Sequence, residues 1–214
     1  MAQTDTVERI LDAAEALFAE RGFAETSLRT ITSTAGVNLA AVNYHFGSKK
    51  DLIQAVFARF LTPFCAELDA ALKAELALAP GAPVTTDALM KCLFQTPTLR
   101  GLGRNANRPQ RFMRLLGLAY SQSQGHLRRF IVANYGTDYQ QFTLLLKEAV
   151  PNLDPVAFYW RLYFMLGAAV FTLSSFDSIQ SILKEEFNEN TSVTDAVDLL
   201  VPALSGMLDA EQPV

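Results

Sequence analysis

The apolar residues of this chain recur at intervals of three and four, the spacing that places them on one face of an α-helix. The first segment already shows the pattern, with six apolar residues on one face: Val7, Ile10, Leu11, Ala14, Leu17 and Phe18. No stretch alternates polar and apolar residues as a half-buried strand does, and no internal repeat is evident. The sequence therefore predicts an all-α fold of about nine helices.

Glycine, proline and capping residues divide this pattern into separate helices. Gly22 and Gly36 end the first two helices, and Asn38 caps the third. Pro63 predicts a bend in the fourth helix or the transition into a second unit, so we divide the chain into residues 4–64 and 65–214. After the first helix, the predicted helices are 28–35, 39–45, one from Ser48 onwards, 84–94, 110–121, 126–149, 155–176, 178–187 and 193–208, with a loop at 96–109.

The composition excludes several classes of protein. Half of the 214 residues are hydrophobic and 19% are charged, which excludes a disordered chain and permits a large core. The formal net charge of -4 excludes a uniformly basic surface but allows a local basic face. Its two cysteines, without CxxC spacing, predict neither a zinc site nor a disulfide framework. With a polar first segment that does not resemble a signal peptide, we expect a cytoplasmic protein.

Residues 156–176 form the longest apolar segment of the chain. Arg161 interrupts the segment and Asp177 closes it, so it falls short of the roughly 20 uninterrupted apolar residues of a membrane span. We predict a helix that is buried in the core or at a subunit interface, and no membrane partner.

Residues 26–50 differ from their surroundings in charge. They contain Arg29, Lys49 and Lys50 and no Asp or Glu, whereas residues 1–25 contain two Arg and six Asp or Glu. A carboxylate facing a duplex would be repelled by the phosphates, so an acid-free segment in an acidic chain favours contact with nucleic acid.

The same segment contains two short helices joined by a turn around Gly36. The second helix is too short to be stable alone, and a pair of this kind is typical of a helix-turn-helix, which we place at residues 27–46. Its second helix would enter the major groove. The candidate DNA-binding residues are Thr26, Arg29, Asn38, Leu39, Ala40, Asn43, Tyr44, His45, Lys49 and Lys50. Thr26, Arg29 and the lysines suit phosphate oxygens, while residues 43–45 lie on the presented helix.

This segment resembles the TetR family of bacterial transcriptional repressors. The family pattern F-x-x-x-G, T-S/T, A-G-V and K-x-x-L is matched at residues 18–22, 26–27, 35–37 and 49–52, and Tyr44-His45-Phe46 stands where the family has Y-x-H-F. Asn43 stands where the family usually has Tyr, so Asn43 and Tyr44 are both candidates for the role of that Tyr. The resemblance implies a homodimer that binds double-stranded operator DNA, without cofactor or enzymatic activity. It also implies that the C-terminal domain binds an effector and dimerises through its last two long helices.

The likeness continues over residues 112–171, where FMRLLGLAYSQSQGHLRR and WRLYFMLGAAVF resemble fatty-acid-responsive repressors of the family. This resemblance implies control of fatty-acid degradation genes and release by a long-chain fatty acid or its thioester. Pockets for such ligands are lined by apolar and aromatic groups with few polar ones. The candidate effector-binding residues are Arg111, Phe112, Met113, Arg114, Leu116, Phe142, Tyr163 and Phe164.

Residues 88–137 contain seven Arg and Lys91 but no Asp or Glu. Three interpretations are open: solvated loop and helix ends, counter-charges for an acidic effector, or further contacts with DNA. Arg111 and Arg114 are the strongest candidates for counter-charges, because they share a predicted helix with Phe112 and Met113.

Two other classes of protein are alternatives. An enzyme is disfavoured, because the sequence has two histidines and no phosphate-binding loop, catalytic triad or metal-ligand spacing. A helical lipid-binding protein would have the aromatic C-terminal half but no reason for the acid-free segment. A TetR-type repressor that responds to another hydrophobic molecule is a further alternative.

Overall fold

The computed structural model of the chain describes residues 2–78, 80–101, 108–122 and 124–211, and only the backbone of residues 2–4. The described residues form ten α-helices and no strand, which confirms the all-α prediction. Each corresponds to one of the helical ranges predicted above, so the estimate of about nine helices is one too low. The helices are α1 (Ala2–Glu25), α2 (Leu28–Ala35), α3 (Leu39–Phe46), α4 (Lys49–Leu78), α5 (Thr86–Phe94), α6 (Arg108–Ser121), α7 (Gly125–Ala149), α8 (Pro155–Ser174), α9 (Phe176–Phe187) and α10 (Val193–Asp209).

The first three helices and the beginning of α4 pack around a small apolar core. Its buried members include Ile10 and Phe18 of α1, Ile31 of α2, Val42 of α3 and Phe57 of α4. Gly22 interrupts α1 with a left-handed φ of 82°, which agrees with the predicted end of the first helix. The shared core fixes α2 and α3 against α1.

Several helix boundaries differ from the predicted ones. α4 continues through Pro63 to Leu78, so the predicted division at residues 64–65 falls inside an unbroken helix. α6 begins at Arg108, inside the predicted loop, because a proline at position 109 is tolerated in a first turn. Residues 102–107 of that loop lie outside the described residues. α8 ends at Ser174, two residues before the predicted end, and α9 begins at Phe176.

The remaining helices pack around α4 and α6. α6 lies against both α1 and α8, α10 lies against α5 and α8, and α4 lies against α5 and α7. Phe112 of α6 stacks on Phe60 of α4, with ring centroids 3.7 Å apart. α6 therefore connects the N-terminal helices to α8.

Much of α8 remains uncovered by the rest of the protomer. The helix is long and apolar enough to cross a membrane by length and composition, and 22% of its apolar stretch is buried. Its exposed apolar side chains lie at helical spacing: Val156, Tyr159, Trp160, Tyr163, Phe164 and Phe171. α10, which packs against α8, exposes Leu199, Pro202, Ala203 and Gly206. Burial of α8 in the core of one chain is thus wrong, and its place at a subunit interface stays a prediction.

Candidate nucleic-acid interface

Side-chain caps fix α2 and α3 on either side of a tight turn. Ser27 begins α2 by accepting a hydrogen bond from the backbone N–H of Thr30 at 3.1 Å. Asn38 begins α3 in the same way, with the N–H of Ala41 at 2.9 Å. Between the helices Gly36 has a left-handed φ of 64°, which residues with a side chain rarely adopt. The local sequence therefore favours a helix-turn-helix at this place.

Arg9 of α1 holds the turn from outside the motif. Its Nη2 atom donates to the carbonyl oxygens of Ala35 at 2.5 Å and Gly36 at 2.8 Å. A Cβ atom at position 36 would lie 2.8 Å from Nη2, the end of a flexible side chain that can shift, so the turn requires glycine for its φ rather than for space. The sequence around Arg9 carries no signal of this role, because both acceptors belong to another helix.

One face of α3 is exposed to solvent. Its exposed residues are Leu39, Ala40, Asn43 and Tyr44, and Tyr44 is 77% accessible. Val42 on the opposite face is buried and anchors the helix. His45 is half-buried, with its ring edge-on to that of Tyr44 at a centroid distance of 5.0 Å. This arrangement allows the amide of Asn43 and the phenol of Tyr44 to reach base edges or phosphates.

Thr26 does not belong to the exposed surface. Its side chain is buried, and its hydroxyl donates to the carbonyl oxygens of Gly22 at 2.8 Å and Leu17 at 3.2 Å. The predicted contact of this side chain with a phosphate is therefore wrong. The hydroxyl instead bonds to carbonyl groups where α1 is interrupted at Gly22.

Three cations flank α3 on the neighbouring helices. Arg29 of α2 and Lys50 of α4 are exposed. Lys49 is half-buried, and its Nζ atom donates to the carbonyl oxygen of Ala24 at 3.4 Å, which leaves two of its three protons for another acceptor. These positions surround α3 with positive charge.

One carboxylate and one imidazole lie close to the lysines at the beginning of α4. Asp51 is the first acid after residues 26–50, and its carboxylate accepts a hydrogen bond from the Ser48 hydroxyl at 2.5 Å. Burial lowers the pKa of His126 in α7, and the charges of Lys50 and Arg129 lower it further. The lowered pKa favours the neutral form of this imidazole.

The apolar residues predicted to line an effector pocket fall into different environments. Phe112, Met113 and Phe142 are buried in the core, and Leu116 is half-buried against it. Tyr163 and Phe164 are exposed on α8. The six residues do not share one environment in the protomer, and their role in binding an effector stays a prediction. The buried ones already fill the space between helices, and the exposed ones point to solvent.

Several arginines of the acid-free residues 88–137 pair with carboxylates from other helices. Arg100 contacts Asp198 of α10 at 2.5 Å. Arg111 lies 3.9 Å from Glu15 of α1, and Arg114 lies 3.5 Å from Asp177 of α9. The local sequence conceals these pairs, because every partner is distant along the chain. Arg104, a member of the same set, lies outside the described residues.

Two cavities are relevant to an effector. The larger, of about 550 Å³, lies between α4 and α5, and its lining includes Ala71, Ala74, Leu78, Cys92, Glu67, Glu75 and Lys91. The smaller, of about 200 Å³, is lined by Gln110, Arg111, Arg114 and Asp177. Arg111 and Arg114 are thus the predicted effector residues that face a cavity.

Comparison with protein families and curated proteins agrees with this geometry. Residues 10–56 match the family described as bacterial regulatory proteins, tetR family, and residues 92–207 match the tetracyclin repressor-like C-terminal domain. TtgR of Pseudomonas putida is 42% identical over 52 residues, which are 24% of this chain and 25% of TtgR. BepR of Brucella suis is 41% identical over 59 residues, 28% of each protein. The alignments therefore span only about a quarter of these curated relatives.

Solved structures align over nearly the whole chain at low identity. The crystal structure of a HlyIIR mutant covers 99% of this chain and 100% of that chain, with 19% identity and a TM-score of 0.63. The fatty acid degradation regulator FadR from Bacillus halodurans covers 94% of this chain and 95% of that chain, with 17% identity and a TM-score of 0.59. These likenesses establish the fold. Because the C-terminal family match alone covers more than half of the sequence, the protein belongs to the TetR family of DNA-binding transcriptional regulators, which are not enzymes.

Proposed function

We propose that this regulator is a cytoplasmic homodimeric repressor that an acidic apolar effector releases from its operator. In this proposal residues 4–64 bind DNA, and residues 65–214 bind the effector and dimerise. A long-chain fatty acid or its thioester is the effector, and fatty-acid degradation genes are the targets. The observation that carries the DNA-binding part is the exposed face of α3, surrounded by cations on α2 and α4.

The proposed DNA contacts divide into two groups. Asn43 and Tyr44, with Leu39 and Ala40 beside them, read base edges from the exposed face of α3. The positioning contacts to phosphates come from Arg29, Asn38, His45, Lys49 and Lys50. The side-chain oxygen of Asn38 already caps α3, so its exposed amide N–H group is what remains for a phosphate.

The exposed face of α8 supports the proposed homodimer. A row of aromatic side chains at helical spacing is costly to leave in water, and a second copy of the same face would cover it. Gly167 lies in this row, and a Cβ built there meets no atom within 4 Å in the protomer. The partner helix could therefore approach closely at this point. Two-fold symmetry would set two copies of α3 about one helical turn of DNA apart.

Two observations support a fatty acid as effector. Residues 112–129 and 160–171 resemble fatty-acid-responsive repressors of the family, and FadR of Bacillus halodurans, a fatty acid degradation regulator, shares the fold. Arg111 and Arg114 face a cavity that could hold the carboxylate. A buried carboxylate needs such partners, because its desolvation is otherwise prohibitive.

A different hydrophobic effector is the second candidate, favoured by the cavity between α4 and α5. Its volume of about 550 Å³ is in the range of small-molecule sites. Glu67 and Glu75 line this cavity, and Lys91, its cation, is paired with Asp87 at 2.7 Å. These charges disfavour an anion and favour a neutral or cationic apolar molecule.

The decisive experiment first identifies the operator and then titrates its complex with acids. Genomic footprinting with the purified protein yields the operator, and fluorescence anisotropy follows its release. Oleate is expected to dissociate the complex at micromolar concentration, whereas hexanoate, with far fewer CH₂ groups to bury, is expected to have little effect. If neither long-chain acids nor their thioesters shift binding, the fatty-acid proposal is wrong. Release by an apolar cation would then support the cavity between α4 and α5.

A salt series on the operator complex tests the remaining alternative of a lipid carrier. A repressor loses duplex affinity steeply as salt rises, because bound phosphates release counterions. Absence of any salt-dependent duplex binding would contradict the DNA-binding residues proposed above.

A further inference from the structure

Three guanidinium groups converge on one buried carboxylate where α1, α4 and α6 meet. Glu15 of α1 is 5% exposed and forms an ion pair and hydrogen bond with Arg59 of α4. The Nε atom of Arg108 lies 3.6 Å from the same carboxylate, and the Nη1 atom of Arg111 lies 3.9 Å from it. Glu15 therefore joins the DNA-binding half to α6 by charge as well as by packing.

The pair of Glu15 and Arg59 does not depend on Arg111. Arg59 also contacts Asp12 at 2.7 Å and Glu8 at 3.3 Å, all on α1. Burial alone would lower the pKa of Arg59, but hydrogen bonds and charges from Glu15 and Asp12 raise it above its usual value. Glu15 thus keeps a charged partner when Arg111 moves, which makes Arg111 the exchangeable member of the cluster.

Arg111 also lines the cavity of about 200 Å³. Arg114 lines the same cavity, donates from Nε to the carbonyl oxygen of Ser174 at 2.9 Å, and lies 3.5 Å from the exposed Asp177. Gln110 lines it as well, is 6% exposed, and has a buried Oε1 atom with no hydrogen-bond partner. The cavity thus combines two guanidinium groups, the carboxylate of Asp177 and a buried amide that has an unsatisfied polar atom.

We infer that this cavity is a carboxylate-binding site whose occupant competes with Glu15 for Arg111. A guanidinium group binds a carboxylate most strongly through two parallel hydrogen bonds, and the 3.9 Å contact with Glu15 is too long to be one. Turning the Gln110 amide by half a rotation presents its NH₂ group to the same ligand. The volume admits a head group but not an acyl chain, so the remainder of a fatty acid must extend beyond it. The inference rests on the proposed function, because it takes release of DNA to be the result of effector binding.

α1 provides the connection from Arg111 to the reading helix. Glu15 and Arg9 lie on the same helix, less than two turns apart. Arg9 donates to the turn before α3, so a displacement of α1 from α6 is passed to the recognition helix. Breaking the ion pair between Arg111 and Glu15 therefore changes the distance between the two copies of α3 in the dimer. Operator binding selects the conformation in which this distance fits the DNA.

The site is tested first with hexanoate, which has the head group without a long chain. In spectra of arginine Nε–Hε groups, hexanoate is expected to shift two signals, which Arg111→Lys and Arg114→Lys assign by their loss. Hexanol is the matched neutral probe and is expected to shift neither. Signals of Arg111 that do not move at saturating hexanoate would overturn the site.

The connection to DNA is tested without any effector, by Arg111→Gln in the complete protein. Operator affinity is expected to fall three- to tenfold, which is the effect of removing the ion pair that the ligand would break. Arg128→Gln is the matched control, because Arg128 is exposed on α7 and loses the same charge. In a double-mutant cycle, adding Arg111→Gln to Glu15→Gln should lower operator affinity little further. Equal affinities of the Arg111 and Arg128 variants would overturn the connection, even if Glu15→Gln failed to fold.

These outcomes are separate from the test of the fatty-acid proposal. If oleate fails to release wild-type protein but hexanoate shifts Arg111, the site stands and the long-chain effector is wrong. If oleate releases the complex equally well from wild type and Arg111→Gln, the effector stands and the site is wrong.

Discussion

The two halves of this regulator differ in how completely each covers its own apolar surface. The helices α1 to α3 surround a closed core, and the aromatic side chain that they leave most exposed is Tyr44 on α3. α8 exposes a row of apolar and aromatic side chains along its length. One isolated aromatic group among polar neighbours suits a wet contact with DNA, whereas a continuous apolar row requires a dry partner. The pattern of exposed side chains therefore distinguishes α3 from α8, although the sequences of both helices are rich in aromatic residues.

The largest expected effect comes from blocking the row on α8. Gly167→Trp adds a bulky group that the protomer has room for but that a partner helix packed against the row does not. The dimer should dissociate, and operator affinity should fall by about 10²–10⁴-fold, since each DNA-binding domain then binds alone. Light scattering and anisotropy measure the two effects. Val132→Trp, at an exposed position of α7, is the control. A Gly167→Trp protein that remains dimeric would contradict the proposed interface.

The next effect concerns the N-terminal half and the ion pairs around Glu15. Arg59→Met keeps the volume of the side chain but leaves Glu15 as a buried carboxylate with weaker partners. Removing one member of a buried pair costs about 3–5 kcal/mol, measured as the free energy of unfolding in urea at fixed protein concentration. Lys73→Met breaks the exposed pair with Asp69 and should cost less than about 1 kcal/mol. Equal losses in the two variants would show that the cluster does not hold α1 to α4.

The fold was largely predictable from the sequence because its signals are local. Caps and glycines such as Ser27, Gly36 and Asn38 act within a few residues, and the bounds of α2 agree with the predicted 28–35. The contacts of Thr26, Arg9 and Glu15 were not predictable in this way. Each depends on atoms from other turns or helices, so charge counting along the chain misses them. The arginine excess of residues 88–137 is partly offset for the same reason, once acids from α1, α9 and α10 are near Arg100, Arg111 and Arg114.

A smaller effect is expected from Tyr44→Ala on the exposed face of α3. The phenol is 77% accessible, so its loss should leave the folded protein and its dimer unchanged. Operator affinity should fall at least about thirtyfold, because a base-edge contact is worth at least about 1 kcal/mol and the dimer has two of them. Tyr139→Ala removes a phenol that is 60% accessible from α7 and should leave operator affinity unchanged. An operator affinity that survives Tyr44→Ala would assign the reading role to Asn43 instead.

The smallest effect separates phosphate contacts from base contacts within the same surface. Lys49 and Lys50 lie at the N-terminus of α4, where backbone N–H groups already favour an anion. Lys49→Ala and Lys50→Ala should each lower the slope of log affinity against log salt by about 0.9 for every phosphate that is no longer neutralised, without changing sequence preference. Lys184→Ala on the exposed part of α9 should leave the slope unchanged. A slope that is unaltered in Lys49→Ala alone would mean that its bond to Ala24 makes this lysine structural, so that Lys50 supplies the phosphate contact.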